Sequence, residues 1–405
     1  MEEKQLPKLS SYRWVILAIV ALLDATSNYI QFQVSALAVQ IMPALHISPA
    51  QLQSLGMAPM LIAVFLSIPA GSLADKFGAK KIVTIGLIVS LIGAFGRLVA
   101  TNFATLMIML LLFGVYMALL NANTLKIFGV WFKQDTNLAM GVFFASASVG
   151  IILTRITSPL FPSVKAAYTF SSFLLLVLAI CWIIFIKDAP KDEPIPQTQM
   201  KQGKPESSLD FFKVAAHSKM TWIVAASVGV GMGASEAFSN IMPTALAARG
   251  MTPIQGNTVA TIGSLCGSLF GPAIIGKAKK AKPLMITVTI LAGLLIALTW
   301  FIPLGMPLTI SLILGGLFGA MTGPLMQAMP ITFPEIGPKY AGSAGGLIGT
   351  VSLLFSYCVP VIISVIAGSN YMMTFIIQGI VLMLTTIFMA ILPDANAAKN
   401  ARRGK

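Results

Sequence analysis

Asp24, Asn28, Gln31 and Ser35 recur at i, i+4, i+7 and i+11 inside an apolar run, which puts all four on one face of a helix. If the helix starts at Trp14, Asp24 sits about 15 Å along it, near the middle of a bilayer core. A carboxylate at that depth is costly unless it is protonated, paired or turned toward a wet cavity. Asp24 therefore reads as a proton- or substrate-coupling group, with a structural hydrogen-bonding partner as the alternative. Glu236 and Asn240 repeat the i, i+4 spacing in a later apolar run, with Ser239 beside them. Glu236 reads as a second titrating group or as one half of an ion pair with an arginine. Three basic residues also fall in apolar runs. Arg97 and Arg155 lie toward one end of theirs, where long side chains snorkel, and read as interfacial or structural, with solute binding as the alternative. Lys126 is either an anion contact or a helix-end anchor. Asn123 and Gln327 can dress a cavity by hydrogen bonding. Tyr116, Asn121 and Tyr357 are weaker candidates of the same kind.

The elements that must position these groups follow from composition. Of 405 residues, 57 % are apolar and 10 % charged, against about a quarter charged in soluble domains. The apolar residues fall into twelve runs near or above the roughly 20 residues that cross a bilayer: 14–42, 49–73, 80–101, 103–130, 136–158, 166–186, 219–246, 253–276, 283–303, 307–333, 340–367 and 371–392. Ser48-Pro49 and Thr252-Pro253 read as N-caps followed by proline at the first helical position. Pro159, Pro243, Pro324, Pro330 and Pro360 read as bends, because neighbouring helices can accept the freed carbonyls. The glycines at 315, 316, 319, 342, 345, 346 and 349 read as places of close helix packing. The one long polar stretch, 187–218, is rich in Pro, Gln and Lys and reads as a linker with a short amphipathic piece near Leu209–Val214 on the membrane surface. It separates two parts of equal length, and Ser48-Pro49-Ala50-Gln51 is echoed by Thr252-Pro253-Ile254-Gln255. The expected fold is an all-α polytopic membrane protein with twelve transmembrane helices in two pseudo-symmetric six-helix bundles. Its parts are a first bundle over 1–186, a cytoplasmic linker over 187–218, a second bundle over 219–392 and a basic tail over 393–405.

Basic residues orient the chain. With the N-terminus inside, Lys4, Lys8, Arg13, Lys76, Lys80, Lys81, Lys133, six lysines between 187 and 219, four between 277 and 282, Lys339 and the tail all fall on the cytoplasmic side. The other face keeps Lys165 and Arg249. That asymmetry is what the positive-inside rule requires, so both termini are expected in the cytoplasm, in a plasma or bacterial inner membrane.

Other classes lack their signatures. The +14 net charge lies in short inter-helix segments with few aromatics, which argues against nucleic acid. Cys181, Cys266 and Cys358 sit in apolar runs, without disulfide or zinc spacing. The first apolar run has no small-residue cleavage site and carries Asp24 and Asn28, so it reads as a spanning helix and not as a signal peptide. Neither a phosphate-binding GxxxxGK[ST] loop nor an HExxH pair is present, and His46 and His217 fall on opposite faces. No cofactor, resident metal or enzymatic activity is expected. An uncoupled channel, a membrane enzyme and a sensor remain competing classes.

The loop after the second run reads Gly71-Ser-Leu-Ala-Asp75-Lys76-Phe-Gly78-Ala-Lys80-Lys81. Gly71 would permit close helix approach, Asp75 would accept hydrogen bonds at the start of a neighbouring helix, and Gly78 would permit a tight turn. The three lysines would meet acidic lipid heads or acidic groups in the other half. In pattern and position the loop resembles the signature of the major facilitator superfamily. The matching loop in the second half, Gly271-Pro-Ala-Ile-Ile-Gly276-Lys277-Ala-Lys279-Lys280, lacks the acid. Lys126 with Trp131-Phe132 resembles the organic-anion and nitrate-type branches, although Asp135-Thr136 replaces their usual acidic-arginine pair. The resemblance implies a secondary transporter with a central solute cavity lined mainly by helices one, four, seven and ten and opened to the two faces in turn. Asp24 and Glu236 fit a coupled proton or a cation; Lys126, Arg97 and Arg155 fit an anion. Together they favour a small organic anion such as a monocarboxylate moved with a proton, by symport or antiport. The alternatives are efflux of amphipathic drug-like compounds, for which 22 methionines offer adaptable surface, and uncoupled anion exchange. Two halves in one chain imply a working monomer among membrane lipids.

Overall fold

The computed structural model describes residues 10–132, 135–188, 208–278, 280–333 and 335–394. The first half runs through α1 (Arg13–Ala36), α2 (Ala38–Leu45), α3 (Pro49–Phe77), α4 (Ala79–Gly96), α5 (Phe103–Phe132), α6 (Thr136–Thr157) and α7 (Val164–Phe185). After the short α8 (Ser208–His217) come α9 (Lys219–Ala247), α10 (Pro253–Lys277), α11 (Ala281–Leu298), α12 (Met306–Ala320), α13 (Gly323–Ala328), α14 (Gly337–Ala367) and α15 (Tyr371–Ile391). Ten spans among the described residues are long and apolar enough to cross a membrane. At the expected fifth and seventh positions stand α6 and α9, of 22 and 29 residues. Exposed apolar side chains recur at helical spacing, as with Ile85, Ile88 and Ile92 on α4 and Phe173, Val177, Ile180 and Ile184 on α7. Such stripes suit a lipid solvent and would be a liability in water. The chain is a multi-pass membrane protein.

Two compact units emerge. One comprises Met1–Gln31, Phe65–Thr154 and Phe161–Pro205; the other comprises Phe32–Val64, Arg155–Leu160 and Glu206–Lys405. Each repeats one packing scheme. In the first, α4 packs on α5 and α7; in the second, α11 packs on α12 and α15. The first core gathers Leu23, Phe113, Tyr116, Phe128, Phe132 and Trp182, all fully buried. The second unit holds two clusters, one around Phe333 and Met285 and one around Phe238 and Phe375. Helix crossings are tightest at glycines. A Cβ on Gly150 of α6 would overlap the Ala25 carbonyl of α1, and one on Gly263 or Gly267 of α10 would overlap carbonyls of α12.

Several sequence expectations need adjusting. The first run is interrupted: Leu37, with ψ near 14°, separates α1 from α2. The tenth is broken, since α12 stops at Ala320 and Pro324 falls in the first turn of a new short helix, where its missing N–H costs nothing. A 3₁₀ turn over Met329–Thr332 then contains Pro330. Pro159 likewise lies in a 3₁₀ turn, whereas Pro243 and Pro360 sit inside continuous helices. Ser48 does cap α3, and reciprocally: its Oγ accepts from Gln51 N (3.3 Å) while its N–H donates to Gln51 Oε1 (2.9 Å). Thr252 makes no such side-chain bond. The amphipathic piece is α8, which packs against α14.

Candidate functional site

Asp24 is 4 % exposed on α1, and polar groups of its own helix and of α6 surround its carboxylate. Asn28 Nδ2 donates to the Asp24 carbonyl at 2.9 Å and approaches Oδ1 at 3.4 Å. Ser146 Oγ donates to Oδ2 at 3.1 Å and also stands 2.6 Å from the Phe143 carbonyl. A hydroxyl has one proton and cannot serve both acceptors at once. An ionised Asp24 accepts the Ser146 hydrogen bond. A protonated Asp24 donates to Ser146, whose own proton then turns to Phe143. One hydroxyl rotation accommodates either charge state. Gly150, one turn beyond Ser146, lets α6 come close enough to α1 for this contact. Tyr116, fully buried on α5, donates to the Leu23 carbonyl at 2.8 Å and fixes α1 beside the acid. Gln31 is buried on the same helix, and Ser35 turns its hydroxyl back to the Phe32 carbonyl at 2.9 Å.

The basic candidates of this unit are tied to backbone. Arg97 is 2 % exposed, lies over the Tyr168 ring at 4.3 Å and donates to the Ile30 and Ala94 carbonyls (3.4 Å each) and to Ser171 Oγ (3.2 Å). Its guanidinium joins α1, α4 and α7. Lys126 Nζ donates to the Ala74 carbonyl at 3.1 Å. Asn123, also buried, donates to Leu119 O (2.8 Å) and reaches Ala70 O (3.5 Å). Asp135 pairs with Arg13 at 2.9 Å.

The second unit holds Arg155 and Glu236. Arg155, 4 % exposed at the end of α6, donates to Thr261 Oγ1 of α10 and lies 5.8 Å from the Phe32 ring. Glu236 on α9 is in its electrostatic field, without a close ion pair between them among the described residues. Gln53 of α3 donates to the Ala237 carbonyl at 3.0 Å, and Gly56, one turn on, faces the Asn240 amide. Arg155 Nε, Glu236 Oε2, Gln53 Oε1 and both amide atoms of Asn240 are buried without a hydrogen-bond partner among the described residues. Such a concentration is unusual, because nearly all buried polar atoms are satisfied. Asn121 and Gln327 are exposed, and Tyr357 is half-buried. Among the described residues no cluster of three His, Cys, Asp or Glu could hold a metal. Ser146, Gln53 and Thr261 escaped the sequence reading because hydroxyls and amides are common in apolar helices. Only the fold brings them to charged groups.

The family model for the Major Facilitator Superfamily matches residues 17–360. The chain belongs to that superfamily. It is 22 % identical over 336 residues to the nitrite extrusion protein of Bacillus subtilis, covering 82 % of both chains. An uncharacterised superfamily transporter of Caenorhabditis elegans is 25 % identical over 393 residues, 87 % of this chain and 64 % of that one. Among solved structures, the nucleoside transporter NupG superposes with a TM-score of 0.75 at 16 % identity, over 95 % of this chain and 100 % of that one. A bacterial homologue of the human lysosomal transporter Spinster gives 0.69 at 13 % identity, over 95 % and 96 %. These likenesses show the fold. Superfamily membership makes the chain an alternating-access transporter of a small solute, not an enzyme.

The superfamily signature loop joins α3 to α4. Gly78 makes the turn with φ 88°, a conformation few residues other than glycine adopt. Lys76 and Lys81 flank the Phe77 ring at 5.2 and 5.8 Å. The side chain of Asp75, like the surroundings of Gly71, lies outside the described residues. The carboxylate found on the start of α4 is that of Asp188, just past α7, which accepts from Lys80 N at 2.9 Å. Asp394, just past α15, does the same for α11, accepting from Ala281 N (3.2 Å) and Lys282 N (3.1 Å). In each half an acid after the last helix caps the third long helix, as the macrodipole favours.

Proposed function

We propose that this superfamily member moves a small organic anion, such as a monocarboxylate, together with a proton, and that Asp24 carries the proton. The observation that carries this reading is the Asp24 site, a buried carboxylate whose Ser146 partner serves its charged and neutral forms alike. Neutralising such a group is cheaper than carrying its charge through lipid. Glu236 is the second acid of the pathway, with Asn28, Gln31, Asn123, Asn240 and Gln327 as polar lining. Lys126 and Arg97 act as helix anchors, given their carbonyl partners. The loop of Gly71, Asp75, Lys76, Gly78, Lys80 and Lys81 governs conformational exchange and does not touch solute. The working unit is a monomer of twelve spans in two six-helix bundles, over 1–186 and 219–392, with both termini in the cytoplasm. The name of the B. subtilis relative supports a second reading, export of a small inorganic anion. Uptake and efflux assays in vesicles, run with small carboxylates, nitrite, nitrate and amphipathic cations, separate the two. Carboxylate flux accelerated by an inward proton gradient is expected. Flux of amphipathic cations alone would contradict both.

A further inference from the structure

Arg155, Thr261, Glu236, Gln53 and Asn240 all belong to the second unit, yet they come from four helices, α6, α10, α9 and α3. Two other arginines among the described residues are tied to backbone carbonyls. Arg249 donates to Thr299 O (3.0 Å) and Ile302 O (2.7 Å), and Arg97 is held as described. Arg155 is different. One nitrogen meets the Thr261 hydroxyl, and among the described residues its buried Nε has no partner and no backbone carbonyl accepts from the guanidinium. A planar guanidinium with a free edge is the group that best matches a carboxylate or nitrite-like oxyanion.

The acid in its electrostatic field is Glu236. Besides Glu236, α9 carries only Lys219, at its first residue. α15 and α2 have no Asp, Glu, Lys or Arg; α10 ends in Lys277, and α14 carries Lys339 near its start. α3 has Asp75 and Lys76 in its last turn, far along the helix from Gln53. Glu236 is the acid in the field of Arg155, and no close ion pair joins the two among the described residues.

Resting on the anion reading above, we infer that Arg155, backed by Thr261, is the point at which the solute anion is recognised, and that Glu236 is an internal carboxylate competing with it. The unpartnered amide of Asn240 supplies a further donor beside Glu236. A purely structural Arg155–Glu236 pair and a recognition pair differ in sign. If the pair is structural, losing either member harms the protein in the same way. If Glu236 competes with the solute, its removal tightens anion binding while removal of Arg155 weakens it.

The test uses purified full-length protein and titration calorimetry with acetate, lactate, nitrite and nitrate at fixed chloride. Arg155→Gln should weaken the best-bound anion by about tenfold or more, the scale of a lost charge-assisted contact, and Arg155→Lys should recover part of it. Glu236→Gln should bind several-fold more tightly than wild type. Thr261→Val should lose affinity, and Thr261→Ser should keep it. Melting curves select folded variants, with Arg155→Lys standing in if the glutamine form unfolds. Wild-type affinity in a folded Arg155→Gln, or weakening by Glu236→Gln, overturns the inference and leaves the anion reading standing. A wild type that binds none of the four anions overturns that reading and this inference together.

Discussion

At the scale of single residues, burial alone does not say what a charged group does; its partners do. Arg97 and Arg155 are almost equally buried, yet one is held by carbonyls and an aromatic ring and the other meets a hydroxyl within the field of an acid. Arg97→Gln should lower stability by about 2–4 kcal/mol, because carbonyls of two helices lose a charged donor. It should leave solute affinity unchanged in whatever protein folds. Melting temperature and binding, measured on the same preparation, check both halves of that statement. Tyr116→Phe should cost about 1 kcal/mol through the lost bond to Leu23 and loosen α1 beside Asp24. A melting point equal to wild type would show that this bond carries no weight. The placement of Asp24 beside Asn28 was legible from helical spacing. Ser146 was not, because nothing in a sequence reveals which serine of another helix meets a given carboxylate.

At the scale of elements, helix positions follow from apolar run length, while their interruptions depend on local backbone chemistry. The run at 307–333 contains two prolines, and hydropathy alone could not tell a bend from the break seen after Ala320. The loop signature points to Asp75 as an acceptor at the start of a neighbouring helix, and its side chain lies outside the described residues. At the start of α4 Asp188, from beyond α7, accepts a backbone N–H, and its counterpart Asp394 repeats the arrangement at α11. That duplication was present in the sequence as an acid two residues after the sixth and the twelfth apolar run, but it carries meaning only once α7 lies beside α4 and α15 beside α11. Replacing either aspartate with alanine should cost about 1 kcal/mol, the usual worth of an N-cap. If Asp188→Ala and Asp394→Ala melt like wild type in detergent, capping does not hold these helix starts. The α1–α6 crossing makes a sharper case. Gly150→Val should prevent close approach at Ala25, abolish the Ser146–Asp24 contact and eliminate transport. Gly349→Ala, where no atom lies within 4 Å of an added Cβ, should fold like wild type. Expression and size-exclusion profiles of the two variants decide it.

At the scale of the whole molecule, the repeated packing of α4 with α5 and α7, and of α11 with α12 and α15, expresses the two-part organisation that the central polar stretch and the echoed helix starts foreshadow. Solute chemistry is less legible, because a few polar residues on apolar helices suit many ligands and acquire a role only from their mutual distances. A monomeric working unit predicts that vesicles reconstituted at one chain each still transport; activity that vanishes at that occupancy would require an oligomer. The central claim is that a proton on Asp24 drives accumulation of a small anion. The direct measurement is a pair of assays in the same vesicles, proton-gradient-driven uptake and counterflow exchange of the best-transported carboxylate, on wild type and Asp24→Asn. Asp24→Asn should lose accumulation while keeping exchange between equal pools, since exchange need not release the proton. Accumulation by Asp24→Asn equal to that of wild type would contradict the claim and leave Asp24 a structural residue.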